Sequence, residues 1–143
     1  MTRYLLDTNI ISNLVKLVPS ESLTTWMGDQ FDSDLHISAW TVAKVRRGIL
    51  EMPAGRKQRA LDDWFLGPEG PQALFAGRVL PFDDRAGLAW ARLMAAGAAS
   101  GRSRSALDMI IAAVAEVHFC VIVTDNEKDF AGLDFINPMR TSV

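Results

Sequence analysis

The chain has almost no cysteine. Cys120 is the only one in 143 residues, which excludes an internal disulfide and a thiolate zinc cluster. It lies in the apolar stretch 118–123, where a small core residue is expected, and this usage suits a reducing cytoplasm. An excess of either charge is also missing. Lys and Arg number 15 against 17 Asp and Glu, a net charge of -2. A generic polycation is thereby excluded, and any nucleic-acid contact must come from a local basic patch. No apolar run approaches the ~18–20 residues of a membrane span. No apolar segment with a small-residue cleavage site follows Arg3, so no secretory signal is expected. The two histidines read as structural or exposed: His36 falls in a strand-like run and His118 ends a helical one. The serines form no nucleophile motif, so acyl-transfer chemistry is not expected. With no repeat, low-complexity stretch or linker, one domain over 1–143 is expected.

What is present is a core-forming composition, 49% apolar, with alternating patterns. Short apolar runs predict strands at 3–6, 35–38, 78–82, 121–124 and 135–137. Three- and four-residue apolar spacing predicts helices over 8–17, 21–30, 39–52, 55–66 and 84–99, the last capped by Asp83. A further helix over 103–119, starting from Ser103 or Ser105, is apolar nearly all round and should be central. Pro53, Pro68, Pro71 and Pro81 mark breaks. Strands alternating with helices predict an α/β fold whose short, mostly parallel sheet is covered on both faces.

Three acidic positions stand out against this frame. Asp7 follows the run Tyr4-Leu5-Leu6 and precedes the helical pattern that starts at Thr8. It suits a helix N-cap, and it equally suits a ligand position at the carboxyl end of a strand. Asp108 lies inside the apolar helix, where a carboxylate needs a cation, a hydrogen bond or a salt bridge, for which Arg102 and Arg104 are near in sequence. The small Ala112 and Ala115 on the same face leave room for a ligand or another backbone. Asp125 and Asn126, with Asp129 shortly after, follow the last long strand and suit either a turn or a site. A parallel sheet would bring all three to one crevice. Ligation by carboxylate oxygens alone selects a hard cation, Mg²⁺ or Mn²⁺, of the kind that serves phosphoryl chemistry.

Five blocks, LLDTNIIS, ISAWTVAKVRRGIL, LPFD, SALDMIIAAVA and VTDNEKDF, resemble in order and spacing the PIN-domain nucleases. More closely they resemble the VapC toxins of bacterial toxin–antitoxin pairs, including the FitB-like branch. The resemblance implies a three-layer α/β/α sandwich and a Mg²⁺- or Mn²⁺-dependent endoribonuclease, with transfer RNA a frequent target. It also implies a homodimer inhibited by a VapB-type antitoxin, which would contact operator DNA in a higher assembly. Asp7 and Asp108 match the family's metal acids. The last acidic position falls at Asn126, with Asp125 and Asp129 as neighbours able to supply charge. Thr8, Asn9 and Thr124 match polar positions that orient ligands or phosphates.

The pattern breaks at Lys44, where the family usually has glutamate. Helical spacing places Thr41, Lys44 and Gly48 on one stripe facing the acids. The local charge changes by two units, from about -1 to +1. An ammonium there is expected to pair with Asp7 or Asp108 and to repel a divalent cation, giving a weakened or inactive nuclease.

Three basic stretches are candidates for guiding RNA: 44–48, 55–59 and 101–105. The last is the strongest, because Arg102 and Arg104 lead directly to Asp108. Of the four tryptophans, most are expected in the core, while Trp64 and Phe65 are expected to line a groove for an antitoxin helix. Two competing functions remain. A phosphoaspartate enzyme needs a second Asp two residues after Asp7, where this chain has Asn9. A non-catalytic partner that binds an antitoxin and acts with it in operator-DNA autoregulation needs no metal at all.

Overall fold

Strands and helices alternate through residues 2–140, the part of the chain described by a computed structural model. The order is β1 (Arg3–Leu6), α1 (Thr8–Leu14), α2 (Glu21–Gly28), β2 (Leu35–Ser38), α3 (Ala39–Leu50), α4 (Arg56–Leu66), α5 (Pro71–Leu74), β3 (Val79–Leu80), α6 (Asp84–Ala99), α7 (Asp108–Val117), β4 (Cys120–Val123) and β5 (Phe135–Ile136). All five strands are parallel, in the order β3-β2-β1-β4-β5. Parallel pairing needs crossover helices, and these cover both faces, as in other all-parallel sheets.

Side-chain alternation along each strand sorts the core into two halves. Leu5 and Ile122 face α6 and α7, together with Phe130. Leu6 and Val123 face the opposite way, onto Ile10, Ile11 and Leu23 of α1 and α2. The result is the three-layer α/β/α sandwich expected from the sequence. α7 is its most buried helix, with Met109 and Ile111 through Ala115 all inside. Ala86, Ala89, Leu93 and Gly97 form the buried stripe of α6. The small side chains of Ala112 and Ala115 therefore serve packing in the α6 core rather than a ligand at Asp108.

Several boundaries differ from expectation for identifiable reasons. α1 stops at Leu14 instead of continuing to 17, because the buried Asn13 turns its carboxamide oxygen to the amide of Ser20 (2.8 Å) and draws the chain back. Pro71 was expected as a break, yet it opens the short helix α5, where its missing N–H costs nothing. The regular part of α7 begins only at Asp108, although Ser105 does act as a cap: its hydroxyl accepts from the Asp108 amide and its carbonyl from the Met109 amide. Asp83 caps α6 as expected, accepting from the Ala86 amide at 3.1 Å.

Phe130, fully buried, anchors the loop between β4 and β5 in the α6–α7 half of the core. Phe130→Ala should lower unfolding free energy by about 3–5 kcal/mol, read from urea midpoints at unchanged slope. A loss below about 1 kcal/mol would show that the loop closes over the vacated space.

Candidate active site

The strand order reverses at β1: the chain adds β2 and β3 on one side and returns to add β4 and β5 on the other. Ligand sites of open α/β sheets form at this kind of switch point, beyond the carboxyl ends of the strands. Asp7 closes β1 there, its amide still in the ladder, donating to the Val123 carbonyl at 2.9 Å.

Only 3% of Asp7 is exposed, and its carboxylate is heavily bonded. One oxygen caps α1 by accepting from the Thr8 amide at 2.8 Å. The other accepts from the Thr124 hydroxyl at 2.9 Å and from the Asn9 carboxamide at 3.4 Å. Asn9 also donates to Thr124, and its oxygen accepts from the Asp125 amide, so α1 is tied to the end of β4. The Thr124 hydroxyl in turn accepts from the Asn126 amide at 3.0 Å. The cap expected of Asp7 is formed, and the same carboxylate that starts the helix lies at the carboxyl end of β1.

β2 contributes a layer that the sequence reading missed. Ser38 caps α3 by accepting from the Thr41 amide (3.0 Å) and donates its hydroxyl to that of Thr41 (3.2 Å). Thr41 receives a bond from Thr8 at 3.5 Å, and both Ser38 and Thr41 are fully buried. The signal was present: Ser38 stands at the end of a strand and the start of a helix, as Asp7 does.

Asp108 faces Asp7 from the first turn of α7. Its carboxyl is pushed above the ordinary carboxylate range, first by burial and then by the charges of Asp7 and Asp129, while a hydrogen bond from Ser105 opposes the shift. Asn126 bridges this cluster, donating to Asp129 at 2.9 Å and to Asp108 at 3.5 Å. The two acids near Asn126 therefore part company. Asp129 joins Asp108, whereas the Asp125 side chain turns to accept from Asn137.

Lys44 is half-buried on α3, one turn beyond Thr41. The ion pair expected of it does not form: among the described residues no salt bridge joins Lys44 to Asp7, Asp108 or Asp129, nor does any arginine neutralise these acids. Several basic groups have other work. Arg46 pairs with Asp62 at 2.6 Å and lies over the Phe65 ring, and Arg47 pairs with Glu51. Arg104 donates to the Leu93 carbonyl, while Arg102 is exposed. His36 is buried and bonded to Arg3 and the Asp34 carbonyl, and its pKa is lowered chiefly by desolvation.

The donors available to a cation are oxygens alone: the Asp7 and Asp108 carboxylates with the Asn126 carboxamide beside them. Among the described residues no trio of Asp, Glu, His or Cys forms a closed cage. Two facing carboxylates without a cationic partner fit Mg²⁺ or Mn²⁺, which are held by one or two carboxylates with water completing the shell. They do not fit a structural zinc site.

An apolar groove lies on the other side of the sheet, with a volume of about 370 Å³, lined by Ile11, Leu14, Met27, Trp64, Leu74 and others. Trp64 takes the place expected of it. Phe65 does not: it points inward and is buried.

Residues 4–136 match the PIN domain family. The chain is 41% identical over 135 residues to the VapC ribonuclease Y4jK of Sinorhizobium fredii, covering 93% of this chain and 95% of that protein. It is 32% identical over 130 residues to toxin FitB of Neisseria gonorrhoeae, covering 91% and 92%. The structure of FitAB bound to an IR36 DNA fragment superposes with a TM-score of 0.88 at 31% identity, covering 98% of each chain. The sheet order, the acids at the switch point and these likenesses agree: the chain belongs to the PIN-domain family.

Proposed function

We propose that this single-domain protein is the toxin of a type II toxin–antitoxin pair, a cytoplasmic PIN-type endoribonuclease whose activity is held down by Lys44. The observation that carries the reading is the convergence of Asp7 and Asp108 at the sheet's switch point, with no cationic side chain among the described residues paired to either. Asp7 and Asp108 would hold Mg²⁺ or Mn²⁺, which when bound would supply Lewis-acid activation of water and charge neutralisation at a scissile RNA phosphate.

The chain's own residues do the rest. Thr124, Asn9 and the Thr8 amide fix the Asp7 carboxylate in one orientation. Ser105 does the same for Asp108. Asn126 keeps Asp129 beside Asp108 and adds a neutral donor where the family pattern has an acid; Asp125, turned to Asn137, stands at the rim. Thr8, Asn9 and the exposed Arg102 border the crevice as contacts for the RNA backbone, fixing position without reading bases. Lys44 adds a positive charge where an acid would draw a cation, which weakens cation binding and with it hydrolysis.

The partner is a VapB-type antitoxin. A helix of this antitoxin would fill the groove beside Trp64, in which Glu69 is the charged lining group and suits a basic residue of that helix. The likeness to FitAB bound to a DNA fragment supports contact with operator DNA through the antitoxin, and the toxin itself would be a homodimer. Lys44 also favours a second reading, a toxin-like partner that only binds antitoxin and regulates its own operator. Cation binding separates the two.

Lys44→Glu should raise both Mn²⁺ affinity and RNA cleavage rate by at least about tenfold, measured by calorimetry and by gel-based cleavage of a tRNA pool. Equal values for the two chains would remove Lys44 as the cause of low activity. A second expectation concerns pH. The Asp108 carboxyl is raised in the folded state, so the fold binds its proton more tightly than the unfolded chain does, and the destabilisation by its charge is complete above the folded pKa. Asp108→Asn should therefore melt higher than wild type at neutral pH. The advantage should shrink as pH falls through the folded pKa toward the ordinary Asp value. Added Mn²⁺ should raise the melting temperature of Lys44→Glu but not of Lys44→Glu/Asp108→Asn. A lower melting temperature for Asp108→Asn at neutral pH would show that the carboxylate is compensated in the fold.

A further inference from the structure

The segment between α6 and α7 has no regular secondary structure, yet it is fastened along one stripe of α6 at every second residue. The Trp90 indole donates to the Ala106 carbonyl at 2.8 Å. The Arg104 guanidinium donates to the Leu93 carbonyl at 3.1 Å. The Arg102 amide donates to the Gly97 carbonyl at 3.0 Å. Residues 90, 93 and 97 share a helix face, and they meet 106, 104 and 102 in reverse order.

Gly97 makes this fit possible. A Cβ there would stand 2.9 Å from Cδ of Arg104 and 3.0 Å from the Arg102 carbonyl oxygen. The Arg104 side chain thus crosses α6 where the helix has no side chain of its own. Between the fastened residues lies Ser105, whose hydroxyl accepts from the Asp108 amide and whose carbonyl accepts from Met109. The anchoring therefore passes directly to the first turn of α7 and the carboxylate it carries.

We infer that Arg104 is a positioning residue for Asp108, not an RNA contact: laid over Gly97 and held by Leu93, with Trp90 beside it, it sets where Ser105 and hence Asp108 stand against Asp7. The inference rests on the metal-dependent reading of the site above. It assigns Trp90 and Gly97 to the same task, α6 acting as the template on which half of the acidic pair is registered.

The test is Mn²⁺ calorimetry on the full chain carrying Arg104→Ala, in the wild-type and Lys44→Glu backgrounds, with binding of a mixed-sequence single-stranded RNA measured alongside. Loss of a group that orients a ligand should weaken Mn²⁺ binding about tenfold. Arg104→Lys should recover most of this, because an ammonium also donates to the Leu93 carbonyl. RNA affinity and its salt dependence should not change. Trp90→Phe, which keeps the ring and removes the donor, should weaken Mn²⁺ binding in the same direction, and it carries the test if Arg104→Ala does not fold. Unchanged Mn²⁺ affinity overturns the inference. So does an RNA affinity that falls with a shallower salt dependence, since that marks Arg104 as a phosphate contact. If neither background binds Mn²⁺, the metal-dependent reading fails on its own, and amide exchange then decides. Faster exchange at Asp108 and Met109 in Arg104→Ala, with β1 amides unchanged, supports the positioning role; unchanged exchange at these two amides refutes it.

Discussion

A buried carboxylate is costly, and much of the sheet's carboxyl edge is organised around one. Asp7 has its oxygens turned to a helix amide, a threonine hydroxyl and a carboxamide, which together offset the loss of water around a charge that is almost wholly covered. These bonds join the ends of β1 and β4 and the start of α1. The same web extends through Thr8 to Thr41 and Ser38 at the end of β2. Three adjacent strand ends are thus cross-linked by hydroxyls and amides rather than by ions. Among the described residues no salt bridge reaches these acids, and the charges of Asp7 and Asp129 act against that of Asp108 in the folded state.

The strands were legible because each is a short apolar run bounded by turn residues. Helices on both sheet faces were legible from the alternation of strands with helices, whereas the sorting of Leu5 against Leu6 and Ile122 against Val123 into two halves is seen only in the fold. Errors came where a bond between a helix and its flanking segment overrode the periodic pattern. The Asn13 bond to Ser20 ends α1 early, and the fastening of 102–106 to α6 delays the regular start of α7. Neither is written in helical periodicity, since each depends on a partner elsewhere in the fold.

The site was legible in part, for the same reason. Asp7 and Asp108 were identified because a carboxylate at a strand end or inside an apolar helix has few inexpensive explanations. The choice between Asp125 and Asp129 depends on how the chain turns after β4, and only the fold reveals that Asp129 is the one that meets Asp108. Arg46 and Arg47 looked like a basic patch, but local acids already neutralise them. Sequence shows the charge of a residue; it does not show whether that charge has been used.

The bond between Thr124 and Asp7 spans 117 residues of chain. At roughly 5–20 residues per second of synthesis, about 6–23 s separate the two side chains in time. Through that interval Asp7 has its neighbours Thr8 and Asn9 but not the Thr124 hydroxyl. β4 is also the strand that completes the centre of the sheet, so the scaffold and the crevice come into being together, once β4 has been made. A chain that stops short of β4 lacks both the Thr124 hydroxyl and the strand beside β1, so the Asp7 carboxylate cannot yet stand as it does in the fold.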